Sequence, residues 1–159
     1  MFQNLSYQRI ALTATLLWSC HTSYAQQSAF TPNATVLKGH INYVVQGDGR
    51  YTKEEITEIR INTDQGVKQR SQFQFPYSST LQELKIIKAF TITPDGRRID
   101  VKPEDILEQQ SPISANAPMF DDYKVKVVVF PAVAIGSRLG VHVMKTQKIP
   151  LFKGRLNAP

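Results

Sequence analysis

The sequence predicts an all-β domain, an antiparallel β-sandwich of about seven or eight strands behind a signal peptide. Three observations carry this reading. Side chains alternate with period two along most of the chain, turn signals recur roughly every 8 to 12 residues, and no long apolar stripe with helical spacing appears. The chain has 159 residues, 42% of them hydrophobic and 20% charged. That is a globular balance with room for one domain.

Met1 to Ala25 reads as a secretory signal peptide. Arg9 supplies the positive start, Ile10 to Trp18 is an uncharged apolar run, and Ser23-Tyr24-Ala25 offers small residues where a signal peptidase needs them. The run is far shorter than the roughly 20 residues that a membrane-spanning helix requires, so no transmembrane span is expected in the mature chain. Cys20 opens a lipoprotein alternative, although the bulky Trp18 departs from a lipobox. The expected location is therefore exported, either periplasmic or associated with the cell envelope. Cleavage after Ala25 leaves 134 residues without cysteine, and the net charge falls from +6 to +5 because Arg9 alone is lost. A mature chain without thiols suits an oxidising compartment and has no cysteine nucleophile.

Residues 26–36 are polar and small and read as a flexible leader; the domain is placed at 37–153. In the first strand Leu37, Ile41, Tyr43 and Val45 share one parity and Lys38, His40, Asn42 and Gln46 the other, the pattern of a strand with one wet face. Gln46-Gly47-Asp48-Gly49 is a hairpin turn signal. Tyr51 to Ile61 is read as a strand despite its charges, because isoleucines cluster at its end. Asp64-Gln65-Gly66 is read as the next turn. Val67 to Phe75 then reads as a strand broken by Pro76-Tyr77-Ser78-Ser79.

Gln82 to Thr93 is a long strand with Leu84, Ile86, Phe90 and Ile92 assigned to one face. Pro94-Asp95-Gly96 turns it, and Arg97 to Val101 returns. Pro103 is placed at the start of one helical turn. Glu108 to Asp122 shows no pattern and holds two prolines; a loop of this length is commonly functional. Tyr123 to Phe130 follows as a strand, with Tyr123, Val125, Val127 and Val129 expected inward and Lys124 and Lys126 outward. Arg138 to Lys148 is expected to pair with it as a hairpin. Residues 154–159 form a tail resembling an interrupted strand or linker, which favours a truncated product.

Few residues suggest chemistry. No cofactor is implied. His40 and His142 have no Cys, Asp or His at metal-ligand spacing, so no metal site is expected. No phosphate loop and no GxSxG elbow are present. Asp48 and Asp95 are explained by their turns. Asp121 and Asp122 are weak binding candidates, and they head an alternative in which carboxylates of the 108–122 loop serve a small enzyme. Lys124 and Lys126, with Lys145, Lys148, Lys153 and Arg155 further on, suggest a second alternative, a binder of anionic glycan or lipid. Nucleic acid is not expected as a partner, because the chain is read as exported and aromatics do not interleave with the lysines.

Several blocks together resemble a known family. Asp48-Gly49-Arg50, Ile59-Arg60-Ile61, the run Ala89 to Gly96 ending in Pro94-Asp95-Gly96, and Phe130-Pro131 followed by Gly136-Ser137 look like DUF3857. The resemblance covers roughly Tyr43 to Lys153. It implies an all-β domain that stands ahead of transglutaminase-like domains in exported bacterial proteins. The family's catalytic residues would lie downstream of Pro159, so none is carried over and no catalytic residue is expected here. The chain is therefore expected to be non-catalytic, and to bind or position a peptide, a cell-envelope polymer or a transglutaminase-like domain through an exposed strand edge.

Overall fold

The structure, a computed structural model, describes residues 30–112 and 122–150. The expected signal peptide, Cys20, Asp121, Lys153, Arg155 and the tail lie outside the described residues. The alternating segments form β1 (Ala34–Val45), β2 (Tyr51–Ile61), β3 (Gln72–Ser78), β4 (Gln82–Ile92), β5 (Arg98–Asp100), β6 (Ile106–Gln110), β7 (Tyr123–Val129) and β8 (Arg138–Gln147). They sort into two antiparallel sheets, a five-stranded one in the order β1-β2-β8-β4-β5 and a three-stranded one in the order β3-β7-β6. This is the expected sandwich, with eight strands among the described residues.

The core lies where the sheets overlap. Ile59 and Ile61 of β2, Leu84 and Ala89 of β4, and Leu139, Val141 and Val143 of β8 meet Tyr77 of β3, Val128 of β7 and Phe130. Phe73 stacks edge-on against Phe130, ring centroids 5.0 Å apart. A Pro103–Asp105 3-10 turn stands where one helical turn was expected.

Several local expectations are corrected. β1 begins at Ala34, so residues 34–36 belong to the strand rather than to a leader. It has no buried face. Val36, Ile41, Tyr43, Val44 and Val45 all remain more than half exposed, because β1 is the sheet's edge and the smaller sheet does not reach it.

The segment after Asn62 is helical, as α1 (Asp64–Arg70), rather than a turn and a strand. Thr63 caps it by accepting from the Gly66 N–H at 3.0 Å, Asp64 sits at its positive end and Lys68 and Arg70 at its negative end. Gly66 packs so closely on the Asn33 carbonyl that a side chain there would overlap it. Pro76 does not break the following strand. It stands inside β3 at a sheet edge, where no ladder hydrogen bond is lost.

A register shift between Ile86 and Lys88 flips the second half of β4. Ala89 and Thr91 therefore continue the inner face begun by Leu84 and Ile86, while Phe90 moves to the outer face. There it covers Gly140 and stacks under the Arg98 guanidinium at 3.8 Å.

β7 and β8 do not form a hairpin: β7 pairs with β3 and β6, and β8 with β2 and β4. Residues 131–137 carry the chain from one sheet to the other. That connection is pinned by hydrogen bonds from Ile61 N–H to Ser137 O (2.9 Å) and from Gly136 N–H to Ile61 O (2.8 Å). The faces of β7 are also reversed. Val128, with Phe130 just beyond the strand, joins the inter-sheet core, and Lys126 shares their parity, its Nζ reaching the Leu84 carbonyl of the other sheet at 2.9 Å. Val125 and Val127 are buried as well.

Candidate functional site

Sandwiching three strands against five leaves part of the larger sheet uncovered. β3 reaches β8, since the Lys145 ammonium donates to the Pro76 carbonyl at 2.7 Å. Beyond β3 the inner face of β1 is open and that of β2 is partly so. A cleft of about 470 Å³ lies there, with Val36, Thr57 and Ile59 below it and Arg70, Gln72 and Phe73 at its side. A second hollow of about 240 Å³ continues it through the shared Gln74 and Phe75 to Lys53, Glu55 and Lys145.

The floor of this groove follows from the pleat. In an antiparallel sheet alternate residues face one side. Ile59, Thr57, Glu55 and Lys53 descend β2 on the inner face, opposite Val36, Gly39, Ile41 and Tyr43 of β1 and Leu139, Val141, Val143 and Lys145 of β8. The groove thus grades from apolar at Val36 and Ile59 to cationic at Lys53 and Lys145.

Its wall is a strand edge. Odd-numbered residues of β3 turn their backbone groups toward β7, as the bonds from Phe130 N–H to Ser71 O and from Ser79 N–H to Asp122 O show at either end. The even-numbered residues turn theirs away. Pro76 O takes Lys145, and the Ser78 N–H takes Gln82 Oε1 at 3.1 Å. The backbone groups of Gln72 and Gln74 face the groove with no partner among the described residues.

At the cationic end, Lys53 Nζ pairs with Glu55 at 2.6 Å. The hydrogen bond to Glu55 raises the Lys53 pKa. Burial pushes the Lys145 ammonium below its usual range, and the charge of Lys53 pushes it the same way. Glu55 pairs with Lys53, while the Lys145 ammonium is held by the Pro76 carbonyl.

The residues singled out in the sequence lie elsewhere. Asp122 ends the connection into β7: its carboxylate accepts from the Ser78 hydroxyl, and its carbonyl accepts from the Ser79 hydroxyl at 2.9 Å. Lys124 and Lys126 share a face, but not a free one. Glu108 of β6 accepts from Lys124 at 2.8 Å and from the Tyr77 hydroxyl at 2.6 Å, with Lys126 Nζ at 3.9 Å. The Lys124 and Tyr77 hydrogen bonds hold the Glu108 carboxyl below its usual range. Burial and Glu108 push the Tyr77 hydroxyl up to about 12. Asp122 bonds to Ser78 and Ser79 rather than to this group, and Asp121 lies outside the described residues.

Asp48 is held below its usual range by the Arg50 backbone N–H and the Arg50 guanidinium, and Asp95 by the Thr93 hydroxyl. Both are turn residues, as expected. His142 has a partner: its Nε2 lies 2.7 Å from Glu54 Oε1 on the outer face. No cluster of His, Cys, Asp and Glu suited to a metal occurs among the described residues. No helix among them is long and apolar enough to cross a membrane.

Sequence reasoning missed Lys53, Glu55, Gln72 and Gln74 as groove residues, and read Lys145 only as part of a basic strip. One signal was available for Lys145: it shares the parity of Leu139, Val141 and Val143, which makes it an inward-facing lysine.

The family model described as "Domain of Unknown Function with solved-structure structure (DUF3857)" matches residues 47–158. A crystal structure from Parabacteroides distasonis, described as a "putative protease", matches with a TM-score of 0.71 at 20% identity. The match covers 76% of this chain and 24% of that one, so the chain spans about a quarter of that protein's length. At this identity the likeness shows the fold alone. The CBM3a-L domain with flanking linkers from scaffoldin cipA of the Clostridium thermocellum cellulosome matches at 10% identity over 72% of this chain and 68% of that one. Its TM-score of 0.39 carries no argument. No curated protein matches significantly.

Proposed function

The chain belongs to the DUF3857 family, and from that premise we propose that it is an exported, non-catalytic module that positions a partner through the groove beside β3. The partner is a polypeptide, either free or part of a transglutaminase-like domain. The observation that carries this reading is the unequal pairing of the two sheets, which leaves the inner face of β1 open and that of β2 partly open beside an unpaired strand edge. An open edge next to an apolar floor is the arrangement that recruits extended chains. Among the described residues, the carboxylates considered for catalysis are committed to structural partners: Asp48 to Arg50, Asp95 to Thr93, Glu108 to Tyr77 and Lys124, and Asp122 to Ser78. Export rests on the sequence pattern of residues 1–25.

The test has two arms. The full-length chain is expressed in a Gram-negative host, and the processed N-terminus is sequenced from the periplasmic fraction; Gln26 is expected. The purified product is then titrated with a separately produced transglutaminase-like domain and assayed for ester and peptide hydrolysis. Saturable binding without turnover is the expected result. Turnover that disappears in Asp122→Ala, or a cytosolic product that retains its first residues, overturns the reading.

A further inference from the structure

Four features compete as unassigned sites. The Glu108 knot satisfies itself. On the outer face His142 is already partnered by Glu54 at 2.7 Å. The outer edge of β1 is long and apolar, but nothing beside it decides what would cover it. The groove along β3 is different, because its floor, its wall and its charge each constrain the occupant.

We infer that the groove accepts one extended peptide strand, donated by another polypeptide, that adds antiparallel to β3 and carries an acidic side chain at the Lys53–Lys145 end with apolar side chains four and six residues later. This inference rests on the proposed partner-positioning role and names the chemistry of the partner.

The wall supplies the backbone bonds. Gln72 and Gln74 present donors and acceptors outward, and an added strand satisfies them as the fourth member of the smaller sheet. Antiparallel addition gives the better bond geometry. A strand placed there lies above β2 and β1, and its inward residues fall on the floor at every second position. Lys53 and Lys145 stand level with Pro76, and Val36 and Ile59 line the cleft beside Gln72 and Phe73. On the floor Glu55 comes two residues beyond Lys53, Thr57 four and Ile59 six, with Val36 beside Ile59, which sets apolar positions four and six residues after the acid.

Charge selects the acid. Among the described residues lining the groove, Lys53, Lys145 and Arg70 face one carboxylate, Glu55, which pairs with Lys53. An incoming carboxylate relieves the repulsion between the two ammonium groups. A segment bearing lysine at that position adds to it. The chain's own residues 151–159, with Lys153 and Arg155 and no acid, fit poorly on charge.

The test uses the mature chain labelled with nitrogen-15. Amide hydrogen exchange of the peptide-free chain is recorded first at two concentrations. The chain is then titrated with acetyl-Thr-Glu-Thr-Thr-Thr-Val-Thr-Val-Thr-amide and with its lysine-for-glutamate counterpart. The expected result is fast exchange at Gln72 and Gln74 without peptide and saturable shifts at both on adding the glutamate peptide. Affinity for the lysine peptide should be at least about tenfold weaker. Gln74→Pro removes an outward N–H that β7 does not use, and should abolish the shifts. Lys145→Gln keeps a donor for Pro76 and should shrink the preference for glutamate to about threefold or less.

Concentration-dependent protection of Gln72 and Gln74 without peptide would show that a second copy fills the groove. Concentration-independent protection would show that the chain's own terminus does. Either overturns the inference, as does equal binding of the two peptides. Shifts confined to β1, or binding of the transglutaminase-like domain with Gln72 and Gln74 unperturbed, overturn it while leaving the partner-positioning role intact.

Discussion

Lys53 of β2 and Lys145 of β8 stand directly opposite each other on the inner face of the larger sheet. Like charges at facing positions of an antiparallel pair are destabilising. The sheet accommodates them with Glu55, which pairs with Lys53, and with the Pro76 carbonyl, which takes Lys145. In this sandwich a pair so placed marks where the core stops and the groove begins: one step along β8, Val143 is buried, while Lys145 is half open to solvent.

The pair should be visible in its titration. Burial is the larger cause of the lowered Lys145 pKa and Lys53 the next. Lys53→Met should therefore move the Lys145 midpoint upward but leave it below that of an ordinary lysine, as read by NMR of the ammonium nitrogen. In the unmodified chain, folded Lys145 binds fewer protons than unfolded Lys145. Its contribution to stability consequently rises with pH between its lowered midpoint and 10.5.

Glu108 contributes to the acid limb of stability. Its pKa is lowered in the fold, so the stability it adds is complete above the ordinary value of 4.5 and is lost as pH falls through the lowered one. Glu108→Gln should cost about 1 kcal/mol near neutral pH, the ion pair being partly exposed and screened. The loss should shrink below about pH 4. Denaturant melts at several pH values would show it, and a pH-independent cost would contradict it.

Thr91 is fully buried on β4, and its hydroxyl has no hydrogen-bond partner among the described residues. Thr91→Val preserves the shape and removes the orphaned hydroxyl. Stability should rise by about 1 kcal/mol, measured as a higher denaturant midpoint at unchanged slope.

Gly140 lies beneath the Phe90 ring, so a methyl group there would overlap it. Gly140→Ala should destabilise by about 2 kcal/mol. In a Phe90→Leu background the cost should fall by at least about 1 kcal/mol, since the ring is what the methyl meets. Additive effects would show that the two residues do not interact.

Alternation and turn chemistry by themselves determined the class of fold, the β1–β2 hairpin at Gln46 to Arg50, the β4–β5 hairpin at Pro94-Asp95-Gly96, and the family blocks. These depend on residues close in sequence, whose backbone preferences act before any packing. The helix at Asp64–Arg70 was also locally encoded, by Thr63 as cap and by its charges, but the apolar parity of Val67, Phe73 and Phe75 reads equally as a strand. What the tertiary structure decided is everything that requires knowing which strand neighbours which. The shift at Ile86/Lys88 exchanged the faces of β4. The 131–137 connection sent β8 to the opposite sheet from β7. The width of the smaller sheet left β1 uncovered. The groove is a product of that last choice, because a strand carries its alternation in its own residues, whereas the number of strands laid over it is fixed only when the two sheets meet.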